Sequence, residues 1–261
     1  MQGMEIVFHY LWQMGVVLDQ FKAIKTQGKK GFAVVIDPDK LASRNLEDFA
    51  SRINATGVDF VLVGGSLLMN EYISQLVPAL RKLLRPPQIL FPGNLLQLIH
   101  GADAILFLSL ISGRNPDLLI GNHVIAAPLL KQSGMEVLPT GYILIDSGRP
   151  TSVNYMSATM PIPYDKPEIA ACTAMAGEML GLQLLYMEGG SGAENAISTE
   201  MISAVAGAVK IPLIVGGGIR TKRQAETILK AGADIIVVGS TFEKDADSPL
   251  MIEISELVAG F

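Results

Sequence analysis

The sequence predicts an α/β chain folded as a (β/α)8 TIM barrel, modified around its third helix and preceded by an extra N-terminal helix. Eight short runs are apolar at nearly every position, as parallel strands buried on both faces are. Helix-like segments alternate with these runs, as βα units require. The length, 261 residues, is that of one such barrel. A single domain over 1–261 is expected, with residues 1–30 as a helical extension.

The extension carries EIVFHYLWQMGVVLDQFKAIK, an amphipathic segment suited to cap the barrel bottom or to pack on a partner subunit. The strands read as FAVVID (32–37), FVLVGG (60–65), QILFPG (88–93), AILFLS (104–109), EVLPTGYILID (136–146), LQLLYME (182–188), IPLIVGGG (211–218) and DIIVVGS (234–240). Helices are expected in SRNLEDFASRINAT, PDLLIGNHVIAAPLLKQS, KPEIAACTAMAGEML and TKRQAETILKAG, the last stopped by Gly232. The link FPGNLLQLIHGAD is too short for a full outer helix. The stretch SGRPTSVNYMSATMPIPYD is long and shows little helical pattern, the form of a functional lid.

Composition excludes several classes. The chain is 49% hydrophobic, yet its longest apolar stretch, near ADAILFLSLI, falls short of the roughly 18 residues a spanning helix needs. Its start lacks the features of a signal peptide. A single cysteine, Cys172, precludes an intrachain disulfide framework and suits a reducing cytosol, so a cytoplasmic location is expected. Cys172 itself reads as a small residue packed in its helix. The net charge of −5 and the lack of a basic stripe argue against nucleic acid as a partner. His9, His100 and His123 lie far apart without zinc-site spacing and read as surface or capping residues.

In barrels of this kind the site lies at the C-terminal ends of the strands. That rule gathers Asp37 in IDPDK after strand 1, Ser66 after strand 2, YMEGGSG after strand 6, Gly216 to Gly218 after strand 7, and Gly239 and Ser240 after strand 8. Paired glycine turns after strands 7 and 8 suit a phosphate, because no Cβ blocks its approach to backbone N–H groups. Tyr186 and Glu188 would stand beside that phosphate, the carboxylate accepting bonds from substrate hydroxyls or taking a proton as general base. The reading is a pocket for a small phosphorylated polyol. Asp37 with Ser66 is a poor cage for calcium and suits Mg2+ completed by substrate phosphates. Asp39 and Lys40 rank behind Asp37 in that loop.

IDPDK, VGGS, YMEGGSGA, IVGGGIRT and VVGS, in this order and spacing, resemble geranylgeranylglyceryl phosphate synthases and their bacterial relatives over nearly the whole chain. The resemblance implies a prenyltransferase that joins a long-chain prenyl diphosphate, geranylgeranyl by preference, to the terminal hydroxyl of sn-glycerol 1-phosphate, with Mg2+, forming an ether lipid precursor. It implies a barrel with an irregular third helix. It assigns Asp37 and Ser66 to the metal, and Tyr186, Met187, Glu188, Gly189, Gly190, Ser191 and Gly192 to the glycerol phosphate loop. Gly217, Gly218, Gly239 and Ser240 become the phosphate grip, and Glu188 and Asp37 the catalytic pair. Some members carry lysine two residues before the metal aspartate. Here that residue is Val35, which places the chain with the archaeal-like, larger-assembly branch. A homo-oligomer is implied, a hexamer ahead of a dimer, with transient membrane contact for the lipid product. An extended C20 donor spans on the order of 25 Å at about 1.25 Å per carbon, which gives the apolar surplus a use. Tyr142, Tyr155 and Tyr164 are candidates to line or cover that groove.

Two other readings stand beside this one. A sugar-phosphate isomerase would use Glu188 and Asp37 as an acid and base pair. A phosphate-ligand binding protein without turnover would need neither. An aldolase is disfavoured because no strand run offers a Schiff-base lysine.

Overall fold

The computed structural model describes residues 15–41, 45–239 and 249–261. Eight parallel strands close in sequence order into one barrel: β1 (Gly31–Ile36), β2 (Phe60–Val63), β3 (Gln88–Leu90), β4 (Ala104–Leu110), β5 (Glu136–Leu144), β6 (Leu184–Glu188), β7 (Leu213–Gly216) and β8 (Ile235–Val238). The period of two sorts each strand's side chains. Phe60, Leu62, Leu184, Tyr186 and Ile214 fill the interior, while Val61, Val63, Leu185, Met187 and Val215 pack against the helix layer.

The helices follow from sequence signals. α1 is Val16–Thr26, the short α2 is Pro38–Leu41, and α3 is Leu46–Ala55, whose N-cap Asn45 accepts from Asp48 N–H at 3.0 Å. α4 (Ile73–Leu83) follows β2. A π-helical turn, Asp117–Gly121, leads into α5 (Asn122–Ser133). α6 (Ser152–Ser157) and α7 (Pro167–Met179) follow β5, α8 (Thr199–Ala208) follows β6, α9 (Lys222–Lys230) follows β7, and α10 is Leu250–Ala259. Ser198 and Thr221 cap α8 and α9 by accepting from Met201 and Gln224 N–H, each at 3.2 Å.

α1 closes the bottom of its own barrel. Its first N–H groups, on Val17 and Leu18, donate to the Glu136 carboxylate at 2.8 and 2.9 Å, where a negative charge suits a helix N-terminus. Phe21 stacks on Phe60 at 4.0 Å between ring centroids, and Lys25 pairs with Asp234 at 2.8 Å. Of the two roles open to this segment, bottom cap is the one observed for Val16–Thr26; its earlier part lies outside the described residues.

The same bottom edge shows a repeat invisible to a search for strands alone. GVDF, GADA and GADI precede β2, β4 and β8. In each, the aspartate accepts a backbone N–H of a neighbouring strand: Asp59 from Phe32, Asp103 from Gln88, and Asp234 from Leu213, all at 2.8 Å. Burial pushes the Asp59 carboxyl up, and its bond from Phe32 N–H opposes this.

Two connections depart from the regular pattern. Between β3 and β4 there is only a 3-10 turn, Leu95–Gln97, as the short link required. The stretch 147–165 is corrected, because it contains helix α6, whose N-cap Thr151 is boxed by Asn154. Cys172 is also corrected: it lies on the exposed side of α7, not packed beneath it.

Candidate active site

The C-terminal rim encloses a cavity of about 380 Å³, within the range of small-molecule sites. Its floor is aromatic. The Phe91 ring lies 5.0 Å from Tyr186 and 6.1 Å from Tyr142, and the two tyrosines are 5.5 Å apart. Burial, reinforced by the nearby Glu188 charge, pushes both phenols well above their usual range.

Glu188 ends β6 at 7% exposure, in register with Gly216 of β7. Its Oε1 accepts from Gly190 N–H at 2.5 Å, and the Tyr186 phenol donates to the same carboxylate. Burial raises the carboxyl pKa to about 7, with those two hydrogen bonds pulling against it. A buried acid poised near neutrality can hold or release a proton at working pH.

The β7 turn is built for close approach. Gly217 has φ 88°, and a Cβ there would lie 2.8 Å from Glu188 Oε1. Arg149 donates to the Gly192 carbonyl, and Arg220 donates to those of Ala193 and Glu194, so two guanidinium groups tie down the loop after β6. Val35, where some family members carry lysine, lies against Gly239.

Past β8, which pairs with β1, Asp37 follows β1. Its Oδ1 accepts from Asp39 N–H at 3.1 Å, and its Oδ2 is 3.2 Å from Lys40 Nζ. Asp39 in turn accepts from Met69 N–H at 2.6 Å, tying this turn to the segment after β2. Ser66 lies on the same edge, and a Cβ on neighbouring Gly65 would be 3.8 Å from Asp37 Cγ. Among the described residues no group of three His, Cys, Asp or Glu forms a ready-made metal cage. One carboxylate and one hydroxyl on a pocket wall fit Mg2+ that keeps waters and is completed by phosphates. One side of the cavity is apolar, with Leu106, Leu108, Leu110, Leu118, Val153 and Met156 on its wall.

A family model described as the PcrB family matches residues 24–258. The chain belongs to the PcrB family. It is 54% identical to a geranylgeranylglyceryl phosphate synthase of Spirosoma linguale, over 91% of this chain and 94% of that one. It is 41% identical to the enzyme of that name from Thermococcus gammatolerans, over 84% and 87% of the two chains. The crystal structure of (S)-3-O-geranylgeranylglyceryl phosphate synthase from Thermoplasma acidophilum, in complex with sn-glycerol-1-phosphate, superposes with TM-score 0.87 at 30% identity, covering 95% of this chain and 100% of that one.

Within this PcrB-family barrel most residues singled out from the sequence converge on one cavity. Asp37 and Ser66 lie on the edge beside β1 and β2, and Tyr186, Glu188, Gly190, Ser191 and Gly192 at β6. Gly217, Gly218 and Gly239 stand between the two. Met187 and Gly189 do not join them. Strand alternation turns Met187 outward, fully buried against the helix layer, and Gly189 spends its N–H on the Gly216 carbonyl at 3.0 Å. Ser240 and His9 lie outside the described residues. Of the three candidate groove tyrosines, Tyr142 lines the cavity, whereas Tyr155 at 87% and Tyr164 at 40% exposure are on the surface.

His100 is exposed, but the expectation for His123 is corrected. It is buried on α5, its Nε2 lies 3.1 Å from Ser109 Oγ, and its ring meets Phe107 edge-on at 4.4 Å. Burial lowers its pKa, opposed by the Leu108 backbone, and it faces the cavity as an uncharged wall. A helical stripe of Leu118, Asn122 and His123 was the sequence signal for it, hidden by the π-helical turn that shifts the phase at Asp117–Gly121.

Proposed function

We propose that this chain is a prenyltransferase that joins a long-chain prenyl diphosphate, geranylgeranyl by preference, to the terminal hydroxyl of sn-glycerol 1-phosphate. The observation that carries the reading is the division of one cavity. Glycine turns and the buried Glu188 stand at β6 and β7, Asp37 and Ser66 follow β1 and β2, and an apolar wall centred on β4 lies on the arc from β2 to β6. The relatives' shared name and the glycerol phosphate bound to the Thermoplasma acidophilum enzyme support the same assignment.

In this reading the acceptor phosphate sits on the glycine turns at Gly217, Gly218 and Gly239. The polyol hydroxyls meet Glu188 and Tyr186. The donor's carbon–oxygen bond to diphosphate breaks, and the acceptor's terminal oxygen forms the ether bond to that carbon. The hydroxyl proton passes to Glu188, and diphosphate leaves. A carboxyl pKa of about 7 leaves an appreciable ionised fraction at neutral pH to accept that proton. The aromatic floor of Phe91, Tyr142 and Tyr186 offers π faces to positive charge developing on the allylic carbon. Mg2+, held by Asp37 and Ser66, would neutralise charge on the departing diphosphate. The apolar wall excludes water from the reacting carbon.

Exposed Ile120, Val124, Ile125 and Leu129 on and before α5 favour a homo-oligomer; the order of a hexamer ahead of a dimer rests on the family resemblance alone. Among the described residues no helix is long and apolar enough to cross a membrane. A cytoplasmic enzyme that touches the membrane only to exchange lipid is the reading consistent with this. Purified protein, sn-glycerol 1-phosphate, Mg2+ and donors of C15, C20 and C35 test the function. Mass-spectrometric detection of the ether product, largest for C20, is expected. Absence of product with every donor, despite acceptor binding, would reject it in favour of a phosphate-ligand binder.

A further inference from the structure

Where an outer helix is missing between β3 and β4, one side chain takes over its bracing role. Gln97 ends the 3-10 turn and is 1% exposed. Its Oε1 accepts from Gly65 N–H at 3.3 Å and from Gly93 N–H at 3.2 Å, and its Nε2 donates to the Gly65 carbonyl at 2.7 Å. Donors facing one end and an acceptor facing the other admit only one orientation of the amide.

The two turns it joins are already in contact. A Cβ on Gly93 would lie 2.3 Å from the Gly65 carbonyl oxygen and 2.9 Å from Ser66 Cα. A Cβ on Gly64 would lie 2.0 Å from the Phe91 carbonyl oxygen and 3.2 Å from Gln97 Oε1. The turn after β2 therefore cannot shift without the turn after β3, and Gln97 holds both. Gly65, Ser66, Gly93 and Asn94 all face the cavity. Closed strand order puts β2 and β3 across the barrel from the glycine turns at β6 and β7.

We infer that Gln97 is a positioning residue for the donor's diphosphate: its three hydrogen bonds fix the Gly65–Ser66 and Gly93–Asn94 wall against which that group docks. This rests on the reading that the diphosphate occupies the β1–β3 edge and the glycerol phosphate the β6–β8 edge. Gln97 touches neither ligand in this scheme and acts through the backbone it holds.

Calorimetry with geranylgeranyl S-thiolodiphosphate and, separately, sn-glycerol 1-phosphate tests it. Gln97→Leu keeps the volume and removes the three bonds. It is expected to weaken thiolodiphosphate binding by about tenfold or more while acceptor binding stays within about twofold, and to raise the donor KM in step. Gln97→Glu adds a readout that a purely structural role does not produce. Its protonated carboxyl keeps a donor and an acceptor, so thiolodiphosphate affinity, relative to wild type at the same pH, should recover toward pH 5.5 and fall toward the leucine variant at about pH 8.5. That pH dependence also serves if the leucine variant does not fold. Unchanged donor affinity in either variant at high pH, or equal losses for both ligands, would overturn the inference. Wild-type protein that binds the acceptor but no thiolodiphosphate would overturn the donor reading itself, and this inference with it.

Discussion

Replacing Glu188 with glutamine should make the protein more stable and nearly inactive, and the stability gain should depend on pH. The carboxyl is buried, and its pKa rises from 4.5 unfolded to about 7 folded. At about 1.4 kcal/mol per pH unit, the charged form is disfavoured in the folded state by about 3 kcal/mol. The sign follows from proton counting. Below pH 4.5 the group is protonated in both states and costs nothing. Between 4.5 and about 7 the folded state binds more protons than the unfolded one, so stability falls as pH rises. Above that the penalty is constant. Glutamine keeps an acceptor for Gly190 N–H and carries no charge. Glu188→Gln should therefore match wild type near pH 4.5, gain across the interval and level off at about 3 kcal/mol, or roughly 5 °C in Tm for a chain this long. Urea unfolding of both proteins from pH 4.5 to 9 measures it. The wild-type kcat should rise through pH 7 as the base ionises, whereas the variant loses on the order of 10²–10⁴ in rate together with that limb. Parallel stability curves across the whole range would refute the buried-acid account, and wild-type turnover in the variant would refute the base role.

Three further outcomes are expected. Asp37→Asn keeps an acceptor for Asp39 N–H, so the turn should survive; turnover should fall by about 10²-fold or more while calorimetric affinity for glycerol phosphate stays near wild type, and near-normal turnover would remove Asp37 from the diphosphate side. Gly217→Ala forces an alanine to φ 88° and a Cβ to 2.8 Å from Glu188 Oε1, so it should cost about 1–2 kcal/mol of stability and at least about tenfold in acceptor affinity; unchanged affinity would refute the grip. Phe21→Ala removes the ring stacked on Phe60 at the opposite end of the barrel and should cost about 3–5 kcal/mol in urea unfolding with kcat/KM unchanged; a loss below about 1 kcal/mol would mean that α1 does not seal the bottom.

The barrel was legible because its strands are buried on both faces and therefore read as unbroken apolar runs. The missing outer helix was legible too, since the link through FPGNLLQ left no room for one. What escaped were contacts between segments distant in sequence. Gln97 looks like one polar residue in an apolar turn, and only the fold shows two glycine backbones converging on its amide. Arg220 sits inside the glycine motif IVGGGIRT, and Arg149 in the long stretch after β5. Their carbonyl partners at Gly192, Ala193 and Glu194 lie on another loop. Met187 lies inside the contiguous motif YMEGGSG, but adjacency in a strand is not a shared face. The strand period of two sends alternate residues to opposite faces, so Tyr186 and Glu188 reach the cavity and Met187 cannot. His123 was hidden by the change of helical phase just before it.

The most direct test of the account is a crystal structure of this chain with sn-glycerol 1-phosphate bound. The phosphate is predicted on the backbone of Gly217, Gly218 and Gly239, with the polyol hydroxyls on Glu188 and Tyr186 and the terminal hydroxyl turned toward the apolar wall. A phosphate seated instead at Ser66 and Asp37, with Glu188 still closed on Gly190 and touching no ligand, would contradict the division of the site on which the proposed chemistry rests.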